Sequence, residues 1–126
     1  MSVVSPWQLE SAYNDLIGRL MSSGVKYDSE KPRIDLIDPL AVEGLAKVLT
    51  FGAQKYAADN WRGGIKNSRL IAAMLRHLFA IMRGEDIDPE SGLPHIDHLG
   101  CCWMFLSWNY KTRPDMDDRW VKPKEG

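Results

Sequence analysis

Apolar residues recur at three-to-four spacing in four separate stretches of this chain, the period of an amphipathic helix rather than of a strand. The first stretch opens at Pro6 and Trp7, carries Leu9, Tyr13, Leu16, Ile17 and Leu20, and fades at Ser22-Ser23-Gly24. Pro39 suits the first turn of a second helix, which Asp38 caps and which runs through Leu40, Leu45, Val48, Leu49 and Phe51 to about Tyr56. Ser68 is the expected cap of a third, RLIAAMLRHLFAIMR, which stops at Gly84. Leu93-Pro94 starts the fourth, which takes Ile96, Leu99, Trp103, Phe105 and Leu106 to roughly Lys111.

The connections are polar and rich in turn formers. VKYDSEKPRIDLIDP reads as an ordered loop and AADNWRGGIKN as a turn region. The tail TRPDMDDRWVKPKEG is polar apart from Met116, Trp120 and Val121, and suits an arm that packs on a neighbour. Helical periods with almost no strand alternation predict an all-α fold, a compact four-helix bundle-like domain with long ordered loops. A length of 126 residues fits one domain. It divides into an N-terminal helix over 1–24, a core over 25–111 and a C-terminal arm over 112–126. The third and fourth helices are apolar round much of their surface, which predicts a homo-oligomer, a dimer or tetramer, with Trp103, Phe105 and Leu106 buried between helices or subunits.

Composition narrows the class. With 44% hydrophobic and 26% charged residues the balance is globular, which excludes a disordered chain. The longest strongly apolar run, CCWMFL, falls far short of a membrane span, so no membrane partner is expected. MSVVSPWQLESAYND lacks the features of a signal peptide, and the expected location is the cytoplasm. Adjacent Cys101 and Cys102 are poorly placed to bond with each other and read as small buried residues. A net charge of −1 gives no reason to expect a nucleic-acid polymer as partner. The charge is unevenly spread, however: KYDSEKPR and the segment from Lys55 to Arg76 are relatively basic, and Glu85 to Glu90 is acidic.

That acidic stretch carries the sharpest chemical signal. GEDIDPESGLPHIDH, residues 84–98, holds five carboxylates and two histidines with no lysine or arginine among them. A solvated loop is the plain explanation, since acidic residues with Pro and Gly are ordinary loop chemistry. A divalent-cation site is the other, because crowded carboxylates repel unless a cation or proton lies between them. His95 and His98 fall three apart on one helical face, with Glu85, Asp86, Asp88 and Asp97 beside them. Arg69 and Arg76 share a face of the third helix, where planar guanidinium groups suit phosphate. FGAQKYAADNW gathers Lys55, Asn60 and Trp61, groups able to contact phosphate, read a base edge and stack on a base, while KYDSEKPR supplies Lys26, Lys31 and Arg33. No phosphate-binding glycine loop, CxxC pair or nucleophile elbow is present.

Taken in order, KYD..KPR.DLI.P.A, FGA.KY...NW, SRL..A.LRH, GED.DPESGLPH..H and the closing DDRW resemble the phage-associated dATP/dGTP diphosphohydrolase-like family, itself related to MazG-type all-α pyrophosphohydrolases. The resemblance spans about residues 25–120. It implies a helical, oligomeric enzyme, dependent on Mg²⁺ or Mn²⁺, that hydrolyses purine deoxynucleoside triphosphates to monophosphate and pyrophosphate; if phage-encoded, it would act in the host cytoplasm. E43GLA46 and H95IDH98 stand where MazG-type enzymes carry ExxE and ExxD. The candidate metal ligands are then Glu43, Asp86, Asp88, His95 and His98. Glu43, His77, Glu85 and Asp86 are the candidate catalytic groups. Lys26, Lys31, Arg33, Lys55, Asn60, Trp61 and Arg76 are the candidate nucleotide contacts. The alternative is a non-catalytic nucleotide-binding protein, a sponge or sensor of a nucleotide signal; a purely structural helper would leave the composition of the loops unused.

Overall fold

The computed structural model describes residues 3–22 and 24–125; Met1, Ser2, Ser23 and Gly126 lie outside it. Its regular elements are helical: α1 (Pro6–Ser22), α2 (Pro39–Lys55), α3 (Asn67–Met82) and α4 (His95–Thr112), with short 3₁₀ turns that include Asn60–Gly63 and Pro114–Met116. There is no strand among the described residues; Ile87 and Pro94 form an isolated antiparallel bridge. The all-α expectation holds. No helix of the described residues is long and apolar enough to cross a membrane.

The chain resolves into two compact units, Met1–Ile34 and Asp35–Gly126. In the first, α1 begins with a reciprocal capping box: Gln8 N–H donates to Ser5 Oγ at 3.2 Å, and Ser5 N–H donates to Gln8 Oε1 at 2.8 Å. Pro6 occupies the first helical position, where its missing N–H costs nothing. The apolar stripe Leu9, Tyr13, Leu16 and Leu20 is exposed.

In the second unit, α4 is the central helix, packed most extensively on α3 and also on α2. Of the four helices, α2, α3 and α4 belong to this unit and α1 to the first. The start of α2 is as expected: Asp38 Oδ1 accepts Leu40 N–H at 2.8 Å, and Pro39 follows it. Where α2 meets α4 the approach is close: a Cβ on Gly44 would lie 2.6 Å from Asp97 Oδ2, so a larger residue there would push the Asp97 carboxylate aside. The hydrophobic core is small, with Val48, Leu70, Ala80 and Cys101 fully buried.

One expectation about α3 is corrected. Ser68 does not cap α3; it is itself capped from the tail, because the Asp118 carboxylate accepts both its N–H, at 2.8 Å, and its hydroxyl. A carboxylate at a helix start satisfies orphan N–H groups and faces the positive end of the dipole. Arg113 Nη1 also donates to the Arg62 carbonyl at 3.2 Å. The tail as far as Asp118 thus folds onto its own chain. Within the single chain Trp103 is 57% exposed, while Phe105 and Leu106 are partly covered.

The best-buried side chains are polar. Asn67 and Asn109 are 1% and 2% exposed. Asn109 Nδ2 donates to the Ile65 carbonyl at 2.8 Å and to Asn67 Oδ1 at 3.0 Å, which fixes the turn before α3 against the end of α4. Asn109→Ala takes the donor from one buried acceptor, Asn67 Oδ1, and one part-buried acceptor, the Ile65 carbonyl, so it should lower unfolding stability by about 1–3 kcal/mol. Chemical denaturation of parent and variant measures this; an unchanged midpoint would count against the amide pair as a core constraint.

Candidate active site

The C-terminal end of α3 and the N-terminal end of α4 are brought together by the acidic segment. Gly84, at φ +88°, takes the left-handed conformation that ends a helix. From there Gly84 N–H donates to the Ile81 carbonyl and Glu85 N–H to the Ala80 carbonyl, both at 2.9 Å, which is a Schellman termination. The chain then doubles back: Asp88 N–H donates to the Leu93 carbonyl at 2.9 Å and His95 N–H to the Asp86 carbonyl at 2.8 Å. Glu90 N–H closes an Asx turn on Asp88 Oδ1 at 2.9 Å.

This return lays the start of α4 against His77 of α3. The rings of His77 and His98 stack at 4.9 Å between centroids and 10° between planes. His95, 6% exposed, lies with its Nδ1 2.9 Å from His77 Nδ1 and its Nε2 2.9 Å from Glu85 Oε1. An ionised carboxylate only accepts, so in its neutral form His95 would carry its proton on Nε2 and accept at Nδ1. His77 then donates from Nδ1, and its Nε2 keeps a free lone pair. On the other side, His98 Nε2 is 2.6 Å from Ser91 Oγ and 3.8 Å from Asp88 Oδ2. His77, Asp88 and His98 each offer one donor atom, and the three atoms lie within 4.8 Å of one another.

These groups belong to a groove of about 1320 Å³ between the C-terminal half of α2, α3 and α4. Arg69, Arg76 and Arg83, seven residues apart along α3, line it. None of the three side chains has a hydrogen-bond or ion-pair partner among the described residues. Two turns of helix separate each from the next, about 10 Å.

The expected site residues divide sharply. His77, Glu85, Asp88, His95 and His98 are brought together, and Arg76, Lys55, Asn60 and Trp61 line the same groove. Lys55 is already paired, its Nζ 2.5 Å from Glu90 Oε1. Trp61 stacks on Phe105 with centroids 4.6 Å apart, meets Trp108 edge-on and carries the Arg62 guanidinium over its ring. Glu43 is exposed on α2 and does not line the groove. The exposed side chain of Asp86 does not line it either; this residue serves through its carbonyl. Lys26, Lys31 and Arg33 belong to the first unit. His77 as a member of the donor cluster, and Arg83 and Ser91 in the groove, escaped the sequence reading; the seven-residue spacing of Arg69, Arg76 and Arg83 was the available signal.

Two imidazoles and one carboxylate are a poor donor set for Mg²⁺, which prefers oxygen ligands in a near-ideal octahedron, and a good one for the first-row transition ions. The thiols are not alternatives: burial pushes Cys101 up to about 12 and raises Cys102 as well.

A family model described as dATP/dGTP diphosphohydrolase, N-terminal, matches residues 21–119, the stretch that holds every groove residue. The chain belongs to this family. A dATP/dGTP diphosphohydrolase from Salmonella phage PMBT28 is 41% identical over 97 residues, 77% of this chain and 33% of that protein. The chain thus spans about a third of the length of the curated relative it matches. No solved structure matches it.

Burial holds the His77 proton affinity below the ordinary histidine value of 6.5, helped by repulsion from His98 and His95. Burial does the same to His98, against partial opposition from Asp88. Both groups bind protons more readily unfolded than folded, so stability is fully present above about pH 6.5 and falls as pH drops through that value. Denaturation midpoints from about pH 8 down to about pH 5 should decline, and the decline should be shallower in a His77→Gln, His98→Gln variant. Equal slopes for the two chains would contradict the buried, neutral assignment.

Proposed function

We propose that the groove binds a purine deoxynucleoside triphosphate, dATP or dGTP, and hydrolyses it to the monophosphate and pyrophosphate. What carries this reading is the half-buried His77–Asp88–His98 cluster in a groove along which three arginines stand without partners. Membership of the diphosphohydrolase family supports it, as does the activity for which the phage relative is named.

In this reading Arg76, with Arg69 or Arg83, holds the β- and γ-phosphates by charge-assisted hydrogen bonds. A spacing of about 10 Å is too long for all three arginines to grip one triphosphate tightly, so the flanking pair also sets its direction along α3. Asn60, which lines the groove, reads a base edge in this reading. Trp61, packed on Phe105, forms a wall beside it rather than a free stacking plate. Water attacks the α-phosphorus, the bond to the bridging α–β oxygen breaks, and pyrophosphate leaves on the arginines. Glu85, whose Oε1 orients His95 and whose carboxylate lines the groove, takes the proton of the attacking water. A divalent cation belongs to the reading, Mg²⁺ or Mn²⁺ by family resemblance, and neutralises phosphate charge when bound. Glu43 and Asp86, outside the groove, are given no part.

A second reading, nucleotide binding without cleavage, is favoured by one observation: the chain matches only a third of its relative, so the chemistry of the whole enzyme need not all reside here. Incubation with a panel of nucleotides, followed by mass spectrometry of products and retained ligand, separates the two. Release of pyrophosphate from dATP or dGTP is expected, with Arg76→Ala weakening nucleotide binding roughly ten- to hundredfold. A retained but intact nucleotide would establish the second reading and overturn the first.

The assembly is also proposed to be a homo-oligomer. On α3, Leu75, Leu78, Phe79 and Met82 are exposed, and on α4 so are Ile96, Trp103 and Tyr110 at seven-residue intervals, two apolar stripes that a second copy of the chain would cover. Sedimentation at micromolar concentration should give a dimer or tetramer; a monomer would contradict this.

A further inference from the structure

We infer that His77, Asp88 and His98 form a binding site for one divalent first-row transition ion, selective against Mg²⁺. The inference shares its groove with the hydrolysis reading but concerns the ion alone.

Three observations carry it. The donors come from three places in the chain and converge: α3 gives His77, the acidic loop Asp88 and α4 His98, with their donor atoms within 4.8 Å of one another. Ligands about 2.1 Å from a common ion lie roughly 3.0–3.5 Å apart, so His98 Nε2 and Asp88 Oδ2, at 3.8 Å, need only a small movement to share one. Second, the outward nitrogen of His77 is prepared by its neighbours. Glu85 Oε1 lies 2.9 Å from His95 Nε2 and His95 Nδ1 lies 2.9 Å from His77 Nδ1; with a neutral His95 the shared proton is donated by His77 Nδ1, and the His77 Nε2 lone pair is left available. A carboxylate–histidine arrangement behind a ligating imidazole is the usual means of fixing its tautomer and raising its basicity. Third, Asp88 is itself oriented, because Oδ1 accepts Glu90 N–H at 2.9 Å while Oδ2 faces His98. Ser91 Oγ, 2.6 Å from His98 Nε2, would give up that bond to the ion and keep the one from Leu93 N–H at 3.1 Å.

The choice of ion follows from the donors. Imidazole suits Zn²⁺, Co²⁺ and Fe²⁺ and is accepted by Mn²⁺, whereas Mg²⁺ gains little from nitrogen and gives up water reluctantly. Three protein ligands leave at least one position open, where a phosphate oxygen or water fits.

The test is a Co²⁺ titration of the untagged, chelator-stripped full chain without nucleotide, followed by visible absorption. One ion per chain should bind and develop d–d bands, Zn²⁺ should displace it, and Mg²⁺ in large excess should not. His77→Ala and His98→Ala should each weaken Co²⁺ binding at least tenfold with the helical circular dichroism retained. Should either variant fail to fold, Asp88→Asn, which keeps size and the Asx turn, must show the same loss. Absence of Co²⁺ binding, unchanged affinity in a folded ligand variant, or displacement by equimolar Mg²⁺ would overturn the inference. Because no nucleotide is present, failure here removes the ion from the cluster without deciding turnover, which the nucleotide assay reads separately, and failure of turnover leaves the ion site standing.

Discussion

The hydrogen bond from His95 N–H to the Asp86 carbonyl, 2.8 Å long, is the contact on which the site depends. It fixes where α4 begins relative to where α3 ends. With the Schellman ending at Gly84 and the bond between Asp88 and Leu93, it turns the acidic segment into a clasp. Were the segment open, His95 and His98 would still share a helical face but would have no reason to meet His77. The pairing of α3 with α4, the most extensive helix contact in the chain, is therefore continuous with the geometry of the histidines.

The clasp also accounts for the crowding of carboxylates. Three of the five have separate partners: Glu85 holds His95, Asp88 faces His98 and closes its own turn, and Glu90 meets Lys55, while Asp97 lies at the crossing of α2 and α4. Asp86 contributes through its main chain. Repulsion within the segment is relieved by imidazole, ammonium and backbone N–H groups, and one carboxylate, Asp88, is left facing the imidazoles in the groove. Across the groove the arginines of α3 supply the opposite charge, a layout that favours anionic ligands over cationic ones at the rim and reserves the cluster for a cation.

Much of this was legible in the sequence. Local signals are strong where they are short-range: Asp38-Pro39 marks the start of α2, Gly84 the end of α3, and the three-residue spacing of His95 and His98 their common face. The resemblance in ordered motifs led to the right family. What was illegible came from contacts distant in sequence. Asp118 capping Ser68 spans 50 residues, and the Asn67–Asn109 pair spans 42, so neither leaves a local pattern. Glu43 stands where the resemblance implies a metal-binding carboxylate, yet it is exposed on α2 outside the groove lining. Trp103 satisfied the helical period, but a short helix packed on α3 and α2 covers only part of its circumference, and the remaining apolar side is exposed.

The proton positions on the three histidines test the clasp and the chemistry built on it together. Long-range ¹H–¹⁵N correlation spectra of the metal-free chain near neutral pH distinguish the two ring nitrogens of each imidazole. His95 protonated on Nε2 and His77 protonated on Nδ1, with a bare His77 Nε2, is the result that the Glu85–His95–His77 chain predicts. A His77 ring protonated on Nε2 would mean that the bond between the two histidines is not formed and that the groove lacks the lone pair on which the site relies.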